Sequence, residues 1–187
     1  MCYTKTASGR CMRASAGCRN LFYQNHCRIP CGIHSVFSNT FIFDAENDGK
    51  EGYLYSLVTT SIIQGIKSIP VYVEADVSDG MPLFEMVGSL SPEVKESKER
   101  VRTALKNTGY ILPPKRITIN FIPANIRKTG SGFDLPVVAA VLCAIGIVPE
   151  EALKDTMVVG EISLSGDVKP VNGILPMVAE AKERGVT

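Results

Sequence analysis

One serine and two lysines stand where nucleophilic chemistry would be built in this 187-residue chain. Ser131 lies in a glycine-rich loop, Asn125 to Phe133 (NIRKTGSGF), ahead of an apolar stretch. Lys128 shares that loop, and Lys169 follows the turn Ser165-Gly166-Asp167. A serine hydroxyl attacks only when an adjacent base takes its proton, and a lysine serves as that base only if burial keeps it neutral. Ser131 with Lys128 or Lys169 is therefore a candidate pair for acyl transfer, provided the two come within hydrogen-bond reach. The same loop is a poor phosphate cradle. Gly130-Ser131-Gly132 lacks the lysine and Ser/Thr that grip phosphate and magnesium, and no GxxxxGK[ST] pattern occurs in the chain. ATP hydrolysis by this sequence alone is not expected.

Metal chemistry has a weaker basis. Cys27, Cys31 and His34, with Cys18 or His26 as a fourth, carry zinc-binding atoms. Their spacing is irregular and no CxxC pair is present, unlike structural zinc sites. No metal site is expected, and Cys143 reads as an inert core thiol. A third candidate is electrostatic. Lys106, Lys115, Arg116, Arg127 and Lys128 make a patch near the loop if the fold gathers them, and such a patch neutralises DNA phosphates. Against it, the formal net charge is only +1, and the basic excess lies in the first 52 residues. No aromatic stacking platform stands out beside the patch. The plainer reading of Lys95, Lys98, Arg100, Arg102 and Lys106 is a solvated mixed-charge helix face, with Glu96–Arg100 and Glu99–Arg102 as local ion pairs.

The elements that position these residues follow from pattern. Apolar residues make up 45% of the chain, enough for one buried core. Residues 1–52 show no useful periodicity and read as a disordered leader ending in the polar linker Asp44 to Gly52. From Tyr53 the signals sharpen. Leu54–Ile63, Ile69–Val77, Pro82–Val87 and Arg116–Phe121 read as strands, with Ile117, Ile119 and Phe121 on one face. Ser91-Pro92-Glu93 opens a helix with Ser91 as its cap, and Val94, Val101, Ala104 and Leu105 form its apolar stripe. Asp134 opens and caps a second helix through Ala144. Met157–Ser163 and Val168–Val171 form a hairpin, and a last helix, Ile174–Arg184, buries Met177, Val178 and Ala181. The longest apolar run, Val137 to Val148, falls short of the roughly 20 residues of a membrane span. No signal-peptide pattern opens the chain, so a cytoplasmic, non-membrane protein is expected. The order predicts an α+β fold, a sheet covered by helices.

Four blocks of sequence carry a resemblance. They are Val73 to Gly88 (VEADVSDGMPLFEMVG), Val94 to Asn107 (VKESKERVRTALKN), Lys115 to Pro136 (KRITINFIPANIRKTGSGFDLP) and Gly160 to Gly185 (GEISLSGDVKPVNGILPMVAEAKERG). In this order they resemble the amino-terminal domain of the YifB/ComM family of magnesium-chelatase-like AAA+ ATPases, over residues 53–187. The last block also resembles the segment of Lon-type serine proteases that carries their catalytic lysine. The resemblance implies a Lon-protease-like fold of the ribosomal-protein-like class. It also implies a fragment that precedes an AAA+ module, with ATP and magnesium bound only there and no cofactor here. Relatives of this type assemble as hexamers and process DNA during its uptake. At the two positions of the Lon dyad this chain has Gly132 for the serine and Leu175 for the lysine, with Ser131 one residue early. The expected role is therefore non-catalytic: motor assembly, with DNA contact as a further element and Gly130, Gly132 and Asp134 as a structural loop. The alternatives are a cryptic serine peptidase using Ser131 and an accessory subunit of a metal chelatase.

Overall fold

A computed structural model describes residues 3–5, 11–13 and 55–186. It divides into two units, Met1–Asn47 and Asp48–Thr187. In the first, β1 (Tyr3–Lys5) pairs antiparallel with β2 (Cys11–Arg13). The rest of the leader lies outside the described residues, and with it the expected disorder and the group Cys18, His26, Cys27, Cys31 and His34.

In the second unit a four-stranded sheet runs β3 (Tyr55–Gln64), β4 (Lys67–Ser78), β6 (Arg116–Ile122), β5 (Leu83–Val87) in spatial order. β3 and β4 form an antiparallel hairpin, β4 pairs antiparallel with β6, and β5 lies parallel to β6. Parallel neighbours need a crossover, and α1 (Pro92–Asn107) supplies it between β5 and β6. Alternation sorts the sheet into two faces. Val58, Val71, Val73, Ala75, Ile117, Ile119 and Phe121 are buried on the inner one.

α2 (Asp134–Ala144) and α1 cover that inner face. Nearly every residue of α2 is apolar and most are buried, the pattern of a helix enclosed on all sides. Ser56 on β3 donates to the Ala140 carbonyl across this interface at 2.7 Å. α1 buries the predicted stripe of Val94, Val101, Ala104 and Leu105. α3 (Ile174–Glu183) lies on the other face, where Arg184 donates to the Tyr72 hydroxyl at 2.7 Å. The class is α+β as expected, although only part of the outer face is covered: Tyr55, Leu57 and Leu83 stay exposed there.

Three local expectations need correction. The strand at 157–163 shrinks to β7 (Glu161–Ile162), which pairs with β8 (Val168–Lys169). Met157 instead bridges parallel to Thr59, and the chain then leaves β3 to bond Gly132 through Gly160. Val178 is 57% exposed, because α3 turns only Met177 and Ala181 into the protein. Ser91 does stand at the cap of α1, but its hydroxyl makes no capping bond; its amide donates to the Lys128 carbonyl at 2.9 Å.

The β7–β8 hairpin docks on the end of α1. Asn107 donates its amide to the Leu164 carbonyl at 2.7 Å. Gly166, at φ +91°, sits so close that a Cβ there would stand 2.2 Å from Thr108 Cγ2. Thr108 cannot swing away freely, because its hydroxyl bonds the Ala104 and Leu105 carbonyls. Gly166→Ala should therefore lower stability by about 1–3 kcal/mol in urea denaturation. Adding Thr108→Ser, which removes the clashing methyl, should recover the steric part and leave the backbone part.

Candidate functional site

The glycine loop is held from both ends. Lys128 donates its amide to the Ser89 carbonyl and accepts from Ser91, which fixes the loop to the start of α1. At the far end Gly160 donates to the Gly132 carbonyl at 3.1 Å, and Leu135 donates to Gly160 at 3.0 Å. Gly130 has φ +88°, so glycine suits that turn. Gly132 needs no such freedom. A Cβ there would rest 3.6 Å from Val159 and 3.8 Å from Val171, ordinary contact distances.

Asp134 is not simply a helix cap. It is fully buried in the first turn of α2 and its carboxylate joins three elements. Ser97 of α1 donates to Oδ1 at 2.5 Å, and Arg100 of α1 donates to Oδ2 at 2.8 Å and Oδ1 at 3.0 Å. The amide of Ile162, in β7, reaches Oδ2 at 3.3 Å. The carboxylate raises the Arg100 pKa above its ordinary value. The expected Glu96–Arg100 pair gives way to this one, because a buried acceptor outcompetes a hydrated one; Glu99–Arg102 is present at 3.5 Å.

The nucleophile pair is not assembled. No hydrogen bond joins Ser131 to Lys128 or Lys169 among the described residues. Lys128 is buried, and its ammonium donates to the carbonyls of Phe121 and Pro123. Burial lowers its pKa, but the amine is spent on holding β6 to the loop. Lys169 is half exposed and lies 3.7 Å from Asp167, so its side chain is engaged with that carboxylate and with water rather than with Ser131. Leu175 is 81% exposed on α3. Cys143 is buried, which pushes its thiol up to about 11 and makes it unreactive.

Nor does the basic patch form. Lys128 is unavailable to a phosphate. Lys115 pairs with Asp79 at 3.0 Å and Arg116 with Glu85 at 2.8 Å. Arg116 opens β6, whereas Arg127 follows its other end, about 20 Å away along the strand. Lys106, in the last turn of α1, belongs to the Arg116 end. Sequence reasoning missed Ser97 and Arg100 as partners of Asp134, since nothing local marks a contact 34 or 37 residues distant.

The loop, the β7–β8 hairpin and α3 fall in the region that matches a known family model, subunit ChlI of Mg-chelatase, over residues 73–187. The chain therefore belongs to this magnesium-chelatase-like family. It is 38% identical over 130 residues to the protein YifB of Escherichia coli (strain K12), covering 70% of this chain and 26% of YifB. Competence protein ComM of Haemophilus influenzae is 35% identical over 128 residues, 68% of this chain and 25% of ComM. Lon protease 2 of Bacillus subtilis is 34% identical over 112 residues, 57% of this chain and 20% of the protease. The chain thus spans about a quarter of the length of YifB and ComM.

Two outcomes test this geometry. Asp134→Ala leaves Arg100 and Ser97 without their acceptor and should cost about 3–5 kcal/mol, against about 1 kcal/mol for Ser97→Ala, in chemical denaturation. Lys128 has a folded pKa below its unfolded one, so the unfolded chain binds more protons between the two. The stability of the parent relative to Lys128→Met should then rise with pH as the ordinary lysine value near 10.4 is approached, measured by urea midpoints.

Proposed function

We propose that this chain is the non-catalytic, Lon-like amino-terminal domain of a YifB/ComM-type AAA+ ATPase, and that it serves to assemble the motor for DNA processing. The observation that carries this reading is Leu175. At the position where the resemblance puts a catalytic lysine, an exposed leucine stands beside exposed Ile174 and Val178 on one side of α3. A base must be polar and shielded; an apolar strip open to solvent is suited to a protein contact. Gly132 removes the other half of the dyad. ATP and magnesium would bind in the ATPase module, and the partners would be that module and copies of the same protein, in a hexamer. A cytoplasmic location fits such a motor, and no helix among the described residues is long and apolar enough to cross a membrane.

The competing readings have less behind them. A peptidase using Ser131 has no lysine hydrogen-bonded to that serine among the described residues. A chelatase accessory role has the family description in its favour, but no group of three or more His, Cys, Asp or Glu converges among the described residues to handle the metal.

The test uses the polypeptide of the complete reading frame. Leu175→Asp with Val178→Asp should abolish oligomer formation in analytical ultracentrifugation and cut ATP turnover at least tenfold. Its melting curve should match the parent, because both side chains are already exposed. Unchanged assembly would sink the assembly role. Labelling of Ser131 by a fluorophosphonate probe would instead establish the peptidase.

A further inference from the structure

The DNA-contact part of that reading is left without its residues, since the predicted patch divides between two ends of the sheet. α1 offers a different surface. At about 100° per residue, Lys95, Lys98, Arg102 and Lys106 fall within an arc of about 80° and run about 16 Å along the helix. Lys95 and Lys106 are exposed, the Arg102 side chain is 50% exposed, and Lys98 is half-buried. Only Arg102 among these four makes an ion pair within the described residues, with Glu99. Glu96 and Glu93 point about 120° or more away from the centre of the stripe, Glu99 lies about 60° from it in its ion pair with Arg102, and Arg100 is turned to Asp134. The helix is therefore not evenly mixed in charge: four cations share one flank with a single carboxylate, Glu99.

The stripe runs into a hollow. Arg102 and Lys106 line an open depression of about 440 Å³ together with Tyr110, Ile111 and one carboxylate, Glu99, which is paired with Arg102. Tyr110 is 39% exposed there, an aromatic surface beside two cations that the sequence alone does not single out. A row of cations ending at an exposed ring is the combination that binds a strand with its bases unstacked: the row tracks phosphates and the ring takes a base. A duplex offers phosphates but keeps its bases stacked inside, so the hollow has no use for it.

We propose that α1 is a binding surface for single-stranded nucleic acid, with phosphates along Lys95, Lys98, Arg102 and Lys106 and a base against Tyr110. The proposal rests on the DNA-processing reading and gives it a site. It does not depend on the α3 strip.

The experiment measures fluorescence anisotropy of a labelled 15-nucleotide oligothymidine with the 187-residue chain between 20 and 200 mM salt. Replacing Lys95, Lys98, Arg102 and Lys106 by Gln should weaken binding more than tenfold and reduce the log–log salt slope by about 3. A control removes the same charge elsewhere, with Lys67, Arg116, Arg127 and Lys154 replaced by Gln. It should change affinity less than threefold; the leader is the same in both. Tyr110→Ala should cost about tenfold with the salt slope unchanged, as for a lost stacking contact. Circular dichroism melts establish that each variant is folded. Equal losses in stripe and control variants, or no binding by the parent, would overturn the site. So would binding of a duplex, or of an oligoglutamate of equal charge range, competing as well as the single strand. Leu175→Asp/Val178→Asp should bind like the parent, which separates failure of this site from failure of the assembly reading.

Discussion

The fold is organised around one buried carboxylate. Asp134 accepts from Ser97 and Arg100 on α1 and from the Ile162 amide on the hairpin, while itself belonging to α2. Two helices and a hairpin on the inner side of the sheet thereby share a single anchor. Hydrophobic burial holds α2 to the sheet but is non-directional. The carboxylate has fixed lone-pair directions and cannot be left unpaired, so it sets the register of α1 against α2 and seats β7 on both. The glycine loop inherits its position from that anchor, being tied to the first turn of α2 at one end and to the start of α1 at the other.

The pattern-borne part of this architecture was readable in the sequence. β4 and β6 alternate strictly, and their inner residues are the buried ones. α1 carries its stripe at helical spacing, and Gly160 to Gly185 folds as the hairpin and helix that its glycines and apolar spacing predict. What failed did so for physical reasons. Val178 looks like core because it continues an apolar face, but α3 leans on the sheet with one narrow edge. Asp134 looks like a cap because caps are local, whereas its partners are far away in the chain. Lys128 looks like surface because most lysines are. Its burial is compensated by two carbonyls at the end of β6, which no spacing rule reports.

The candidate site divides the same way. That Leu175 is no base could be read from residue identity alone, since its side chain cannot accept a proton wherever it sits. Gathering of the basic residues could not, because it depends on which end of a strand each one meets. The glycines likewise have different causes. Gly166 is demanded by Thr108 and its own backbone; Gly132 is demanded by nothing around it.

The sealed amine of Lys128 also makes the domain its own probe of opening. Acylating reagents will consume the exposed lysines within their chemical lifetime, while Lys128 reacts only when the loop lifts off β6 and the amine loses its proton. The rate at which that one side chain is labelled therefore reports the opening equilibrium of the glycine loop, residue-resolved by mass spectrometry, with no dye or mutation introduced.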